Sequence, residues 1–143
     1  MDGTYADAHF DIAVIDLQHE DYADAEKELR SVIRLQPGDA AAHSTLGGVL
    51  LATGRSAEAR TEFELALKLD DKNFEALFNL AMIELEAGQV EQAFEHLKTA
   101  EEVNPDDADV HRALAEIYDK RGQASDVLRE QKAAAAANLR GSQ

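Results

Sequence analysis

The sequence predicts an all-α solenoid of eight helices arranged as four stacked hairpins, and three observations predict it. The first is a 34-residue period: Gly54, Gly88 and Gly122 keep it, and so do Ala25, Ala59 and Ala93, with Val127 in the fourth place. The second is that two further series, Ile12, Leu46, Leu80, Leu114 and Ala13, Gly47, Ala81, Ala115, run through all four copies. The third is composition. Apolar residues make up 45% of the 143, yet aromatics only 6%, a balance that suits close helix packing better than a sheet.

The clearest copy runs from Phe74 to Asp107. Leu77, Leu80 and Ala81 recur at three- and four-residue intervals and therefore share one helix face. Gly88 interrupts that pattern and supplies the positive φ of a tight turn. A second stripe follows in Ala93, Leu97 and Ala100, and Pro105 closes the unit. Asp107, Asn73 and Ser56 stand where a helix needs a side-chain oxygen to cap its free N–H groups. Applied along the chain, the pattern predicts helices near 5–19, 22–35, 40–53, 56–69, 74–87, 90–103, 108–121 and 124–139. The repeats are about 6–39, 40–73, 74–107 and 108–141, one domain over 1–143. A lone hairpin cannot bury its apolar face, so stacking must supply the core. Leu29, Phe63 and Leu97 mark the middle of three second helices, with small residues such as Gly47 and Ala59 allowing close crossing. The last helix carries Gln131 in that place, which reads as a capping helix facing water and a natural end to the array.

On the segments LGGVL with ARTEF, LAMIELEAGQVEQAF with NP, and LAEIYDKRGQ, the chain resembles the tetratricopeptide repeat family. The resemblance covers four repeats and implies a right-handed superhelix of antiparallel helices whose first helices line a concave, ligand-binding face. Departures are Asp16 in the usual aromatic place of the first repeat, Glu20 in place of the turn glycine, and the absence of Trp.

Several functions are disfavoured. There is no cysteine, hence no disulfide or thiolate metal site. Neither a nucleophile motif nor a phosphate loop occurs, and the carboxylates follow helix positions that face solvent, so the chain reads as no enzyme, with no catalytic residues and no cofactor. His9, His43 and His111 share the family's Trp place, which suits a flat ring packed between helices. Equivalent places lie too far apart for one zinc ion to join, so no metal is expected. His19 and His96 read as surface residues. MDGTYADAHF lacks the character of a secretory signal and no run spans a bilayer, which points to a soluble cytoplasmic chain without membrane insertion.

The net charge of −15 is uneven: −6, −1, −8 and +1 over the four repeats, with Asp2 completing the total. Such a field repels nucleic acid and attracts cationic partners. A second stripe on the first helices is offset from the packing series. It comprises Phe10, Val14 and Leu17, then Ser44, Gly48 and Leu51, then Phe78, Met82 and Leu85, with Asn79 beside it and Arg112 opening the fourth set. These are the candidate peptide-binding residues, ringed by acids such as Asp7, Asp11, Glu75 and Glu86, with Gly48 allowing close approach. The family's clamp for acidic chaperone tails is disfavoured, because its places hold Phe10, Val14, Thr45, Glu75 and Asn79. Of these only Asn79 could serve. The leading expectation is therefore a scaffold or adaptor that binds a partner's peptide or helix through apolar anchors and basic flanks. Alternatives are a self-assembling module, the acidic first repeat docking on Arg129, Lys132 and Arg140 of the last helix, or an accessory domain of a longer enzyme. The first helix, apolar on more than one face, fits either a partner contact or a longer array.

Overall fold

The structure is a computed structural model that describes residues 3–142, with side chains from Tyr5 onward. Among the described residues every regular element is an α-helix: α1 Gly3–Gln18, α2 Tyr22–Leu35, α3 Ala40–Ala52, α4 Ser56–Leu69, α5 Phe74–Glu86, α6 Val90–Val103, α7 Ala108–Lys120 and α8 Ala124–Gly141. Each lies within about two residues of its sequence-predicted span. The chain gathers into two compact units, Met1–Asn79 and Leu80–Gln143, divided within α5.

All four intra-hairpin turns close in one way. The Asp21 N–H reaches the Asp16 carbonyl at 2.8 Å, and Arg55, Gln89 and Gln123 repeat the bond at 2.8, 2.8 and 2.9 Å to Leu50, Glu84 and Tyr118. This bond, five residues back, satisfies a helix-end carbonyl and needs a left-handed residue just before its donor. Gly54, Gly88 and Gly122 supply it at φ +78°, +77° and +69°, whereas the first turn forces Glu20 to φ +60°. That conformation strains an L side chain.

The two kinds of helix start differently. Asp39, Asn73 and Asp107 cap α3, α5 and α7, accepting from the backbone N–H groups of Ala42, Ala76 and Val110 at 3.1, 2.9 and 3.0 Å. The expected cap at Ser56 is not formed: Ser56 is the first residue of α4 and the cap place falls to Arg55, whose side chain makes no cap bond. A second helix leaves the turn so directly that its cap residue is already held by the turn's own backbone bonds.

In the first unit α1 pairs with α2, α2 with α3, and α3 with α4; in the second α6 packs on α7 and α7 on α8. Leu29, Leu46, Ala59 and Phe63 are fully buried, as are Ala93, Leu97 and Leu114. Gly47 is small because Phe63 is large: a Cβ there would lie 2.6 Å from the ring. One member of the packing series departs. Ile12, expected in the core with Leu46, Leu80 and Leu114, is 44% exposed while those three are at most 2% exposed.

Candidate functional site

The offset stripe of the first unit lies on α1, α3 and the start of α5. Phe10 and Leu17 are half-buried and Val14 is exposed. Phe10 rests on a core of Ala6, Val32 and Ala42 contributed by three helices. Beside it a pocket of about 230 Å³ is walled by Asp7 and Asp11 of α1 and by Asp39 and Ala41 at the start of α3. An apolar floor with three carboxylates at its rim suits a side chain with an apolar stem and a cationic head.

Across α3, Ser44 is buried while Gly48 and Leu51 are half-buried. The open approach expected at Gly48 is taken by this chain's own Glu75, whose Oε1 stands 3.0 Å from where a Cβ would be. Loss of water around the Glu75 carboxyl pushes its pKa up against an opposing hydrogen bond from Ser44. Ser44 Oγ also accepts from Asn73 at 3.2 Å. Phe78 stacks on Phe74 with ring centroids 6.3 Å apart, and Asn79 spends its amide on the Glu75 carbonyl at 2.9 Å. In the second unit Met82 and Leu85 are half-buried, and exposed Arg112 pairs with Asp109. Arg112 also joins Glu116, Asp119 and Gln131 around a pocket of about 360 Å³.

The histidines do more than fill the family's Trp place. Each pairs with a glutamate 19 residues on: His9 with Glu28, His43 Nδ1 with Glu62 at 2.7 Å, and His111 Nδ1 with Glu130 at 2.7 Å. His43 and His111 also place Nε2 at 3.0 and 2.6 Å from the carbonyls of Pro37 and Pro105. The third repeat has Leu77 and His96 in these two places. There His96 turns instead to Glu84 at 2.8 Å. So His96 is a half-buried ion-pair member and not a plain surface residue. Glu84 and Glu130, 3% and 1% exposed, correct the expectation that carboxylates here face water. The signal was available, because Glu28, Glu62 and Glu130 keep the 34-residue spacing of their histidines.

Around His111 burial by itself pushes the imidazole pKa down. The Pro105 carbonyl, the Glu130 hydrogen bond and the charges of Glu130 and Glu101 outweigh it, so the pKa is raised. Glu101, His111 and Glu130 bring their ligand atoms within 4.8 Å of one another. Lys98 already holds Glu101, and Arg129 holds Glu130 at 2.7 Å. Nε2 of His111 faces the Pro105 carbonyl and Nδ1 faces Glu130, so both ring nitrogens are already engaged within the protein. His111 itself is 4% exposed.

Asp16 stands near the end of α1. Its Oδ2 is buried without a hydrogen-bond partner. Burial, with the charges of Asp24, Asp21 and Glu28, pushes its pKa up against the opposing pull of His19. Among the described residues no helix is long and apolar enough to cross a membrane.

Two family models described as tetratricopeptide repeat match the chain, one over residues 50–117 and 84–140 and the other over 10–74. Among curated proteins, anaphase-promoting complex subunit 3 of Schizosaccharomyces pombe is 27% identical over 104 residues, which is 73% of this chain. The chain spans only 16% of that relative's length. Among solved structures, a crystal structure of MamA superposes with a TM-score of 0.81 at 16% identity, covering 99% of this chain and 82% of that one. PilF of Pseudomonas aeruginosa gives 0.81 at 22% identity, covering 96% and 63%. At these identities the structural likeness shows the fold.

Proposed function

Because the chain belongs to the tetratricopeptide repeat family, whose repeats generally mediate protein–protein contacts, we propose that it is a non-catalytic adaptor that binds a basic, apolar-anchored peptide. The observation that carries this reading is the pocket floored by Phe10 and rimmed by Asp7, Asp11 and Asp39. A lysine or arginine of the peptide lays its methylenes on the Phe10 ring and its charge among the carboxylates. Apolar side chains flanking it meet Val14 and Leu17 further along α1. The raised pKa of Glu75 fits the same picture, since a carboxyl short of water gains from an arriving cation. Phe78 and Asn79 in the first unit, and Met82, Leu85 and Arg112 in the second, are further candidate contacts.

The test is an array of twelve-residue peptides in which an apolar pair is flanked by lysines, by glutamates or by serines. Lysine-flanked peptides are expected to bind, with affinity falling as salt rises. Asp7→Lys with Asp11→Lys should then lower affinity at least tenfold. Equal binding of the glutamate-flanked peptides, or binding untouched by the double substitution, overturns the reading.

A further inference from the structure

The first and last helices each expose an apolar stripe that repeat packing does not use. On α1, Ala8, Ile12 and Ile15 share one face, and Ile12 and Ile15 are 44% and 52% exposed. One period on, Leu46 and Val49 lie on α3, which packs against α2, and are at most 2% exposed; three periods on, Leu114 and Ile117 lie on α7, which packs against α6, and are at most 1% exposed. The uncovered face of α1 is therefore shaped for the second helix of a preceding hairpin. On α8, Leu128, Lys132, Ala135 and Leu139 fall at i, i+4, i+7 and i+11 and so form one stripe. Leu128 is 52% and Leu139 is 72% exposed. A helix that merely caps an array accounts for Gln131 and Lys132 in water, but not for those two leucines.

The repeat register joins the two faces. In the first unit Leu46 of α3 meets Glu26, Arg30 and Ile33 of α2 around one surface pocket of about 610 Å³, which Glu62 also lines. The place of Leu46 one period back is Ile12. The places of Glu26, Arg30 and Ile33 three periods on are Leu128, Lys132 and Ala135. The same shift carries Arg30 and Glu62 to Lys132 and Glu28. Charges agree as well. α1 holds Asp7, Asp11 and Asp16 and no lysine or arginine, whereas Lys132 sits in the middle of the α8 stripe and takes part in no ion pair among the described residues.

We infer that the exposed face of α1 seats the α8 helix of a second copy of this chain, continuing the repeat stack from one molecule to the next. Ile12 enters between Leu128 and Ala135, and Lys132 reaches toward Glu28 of α2, which pairs with His9 of α1. The contact is head to tail, so it does not close on itself and allows further copies to add. Its apolar contacts, Ile12 and Ile15, are not those of the peptide reading, which uses Phe10; the two share only the acidity of α1.

Sedimentation of the full chain across concentration tests this. The weight-average mass should rise with concentration, and more steeply at low salt. A head variant, Ile12→Glu with Ile15→Glu, and a tail variant, Leu128→Glu with Leu139→Glu, should each sediment at monomer mass. All four residues are exposed, so the helical circular dichroism should be kept. Mixed one to one, the two variants should give a species of twice that mass, because one retains an intact tail and the other an intact head. A wild-type chain that stays monomeric up to about millimolar concentration overturns the inference, leaving α1 for a preceding repeat or another partner. Failure of the mixture to pair overturns it, and a tail variant that still associates by itself overturns it in favour of α1 meeting α1.

Discussion

The first hairpin, α1 with α2, and the last, α7 with α8, occupy the same places in the repeat yet solve the packing problem differently. In the last, Leu114 is fully buried, and Tyr118 meets Phe94 edge to face with centroids 5.6 Å apart. His111 holds two acceptors, and Gly122 makes the turn at positive φ. The matching residues of the first are Ile12 in water, Asp16 with an unpartnered oxygen, His9 half-exposed on a single glutamate, and Glu20 under backbone strain. Periodicity sets the helices in both. Stability differs because burial comes from what packs on a helix, and α1 presents to solvent the face that α7 presents to α6. Of these two hairpins the first has fewer buried apolar contacts, and it is expected to open more readily.

The largest way to break that contrast is at the histidines. His111→Gln should cost about 2 kcal/mol, because it takes a charged hydrogen bond from the buried Glu130 carboxylate and leaves it Arg129 alone, whereas His9→Gln at its half-exposed site should cost about 0.5 kcal/mol. The pH dependence separates the two kinds of contribution. His111 has a raised folded pKa, so its stabilisation is complete below the unfolded value of about 6.5 and is lost as pH rises through the folded value. Hydrogen exchange of α7 amides should therefore quicken from pH 6.5 upward, after correction for intrinsic rates, and lose this trend in His111→Gln. An unchanged trend in the variant removes His111 as its source.

A smaller and more symmetrical effect is expected at the turns. Glu20→Gly relieves a left-handed residue and should stabilise the first hairpin by about 1 kcal/mol, while Gly122→Ala imposes the same strain on the last and should cost about 1 kcal/mol. Thermal melts and amide exchange should move in opposite directions for the two variants. Movement in the same direction would show that the turn is not what separates the hairpins.

The finest distinction lies at Asp16. Its folded pKa is raised, so the native state takes up its proton first as pH falls, and stability grows through the folded value until the unfolded value is passed. Asp16→Asn should flatten that gain and slow exchange in α1 at pH 7.

Most of the fold was legible because its signals are local and repeated. Gly54, Gly88 and Gly122 announce turns, and caps at Asn73 and Asp107 follow from side chains that accept hydrogen bonds beside the chain's own N–H groups. Ser56 carries a hydroxyl near a helix start yet forms no cap, because the turn has already claimed the backbone there. The site was legible in part. Phe10 and its acidic neighbours could be placed on one face by counting, but Gly48 read as an opening since nothing in its neighbourhood along the chain announces the carboxylate of Glu75. Glu130 read as solvated because charged helix positions usually are. Its partner lies 19 residues away and is recognised only by the shared period.

By itself the sequence determined how many helices form, where they turn and which residues stand in equivalent places, because period, turn chemistry and side-chain spacing are properties of the chain alone. The tertiary structure decided which equivalents are alike in energy. Ile12 and Leu114 are both aliphatic and hold one register position, yet one is wet and the other dry. The reason is that hydrophobic stabilisation follows the surface a neighbour removes from water, and the neighbours of a helix are set by the stack.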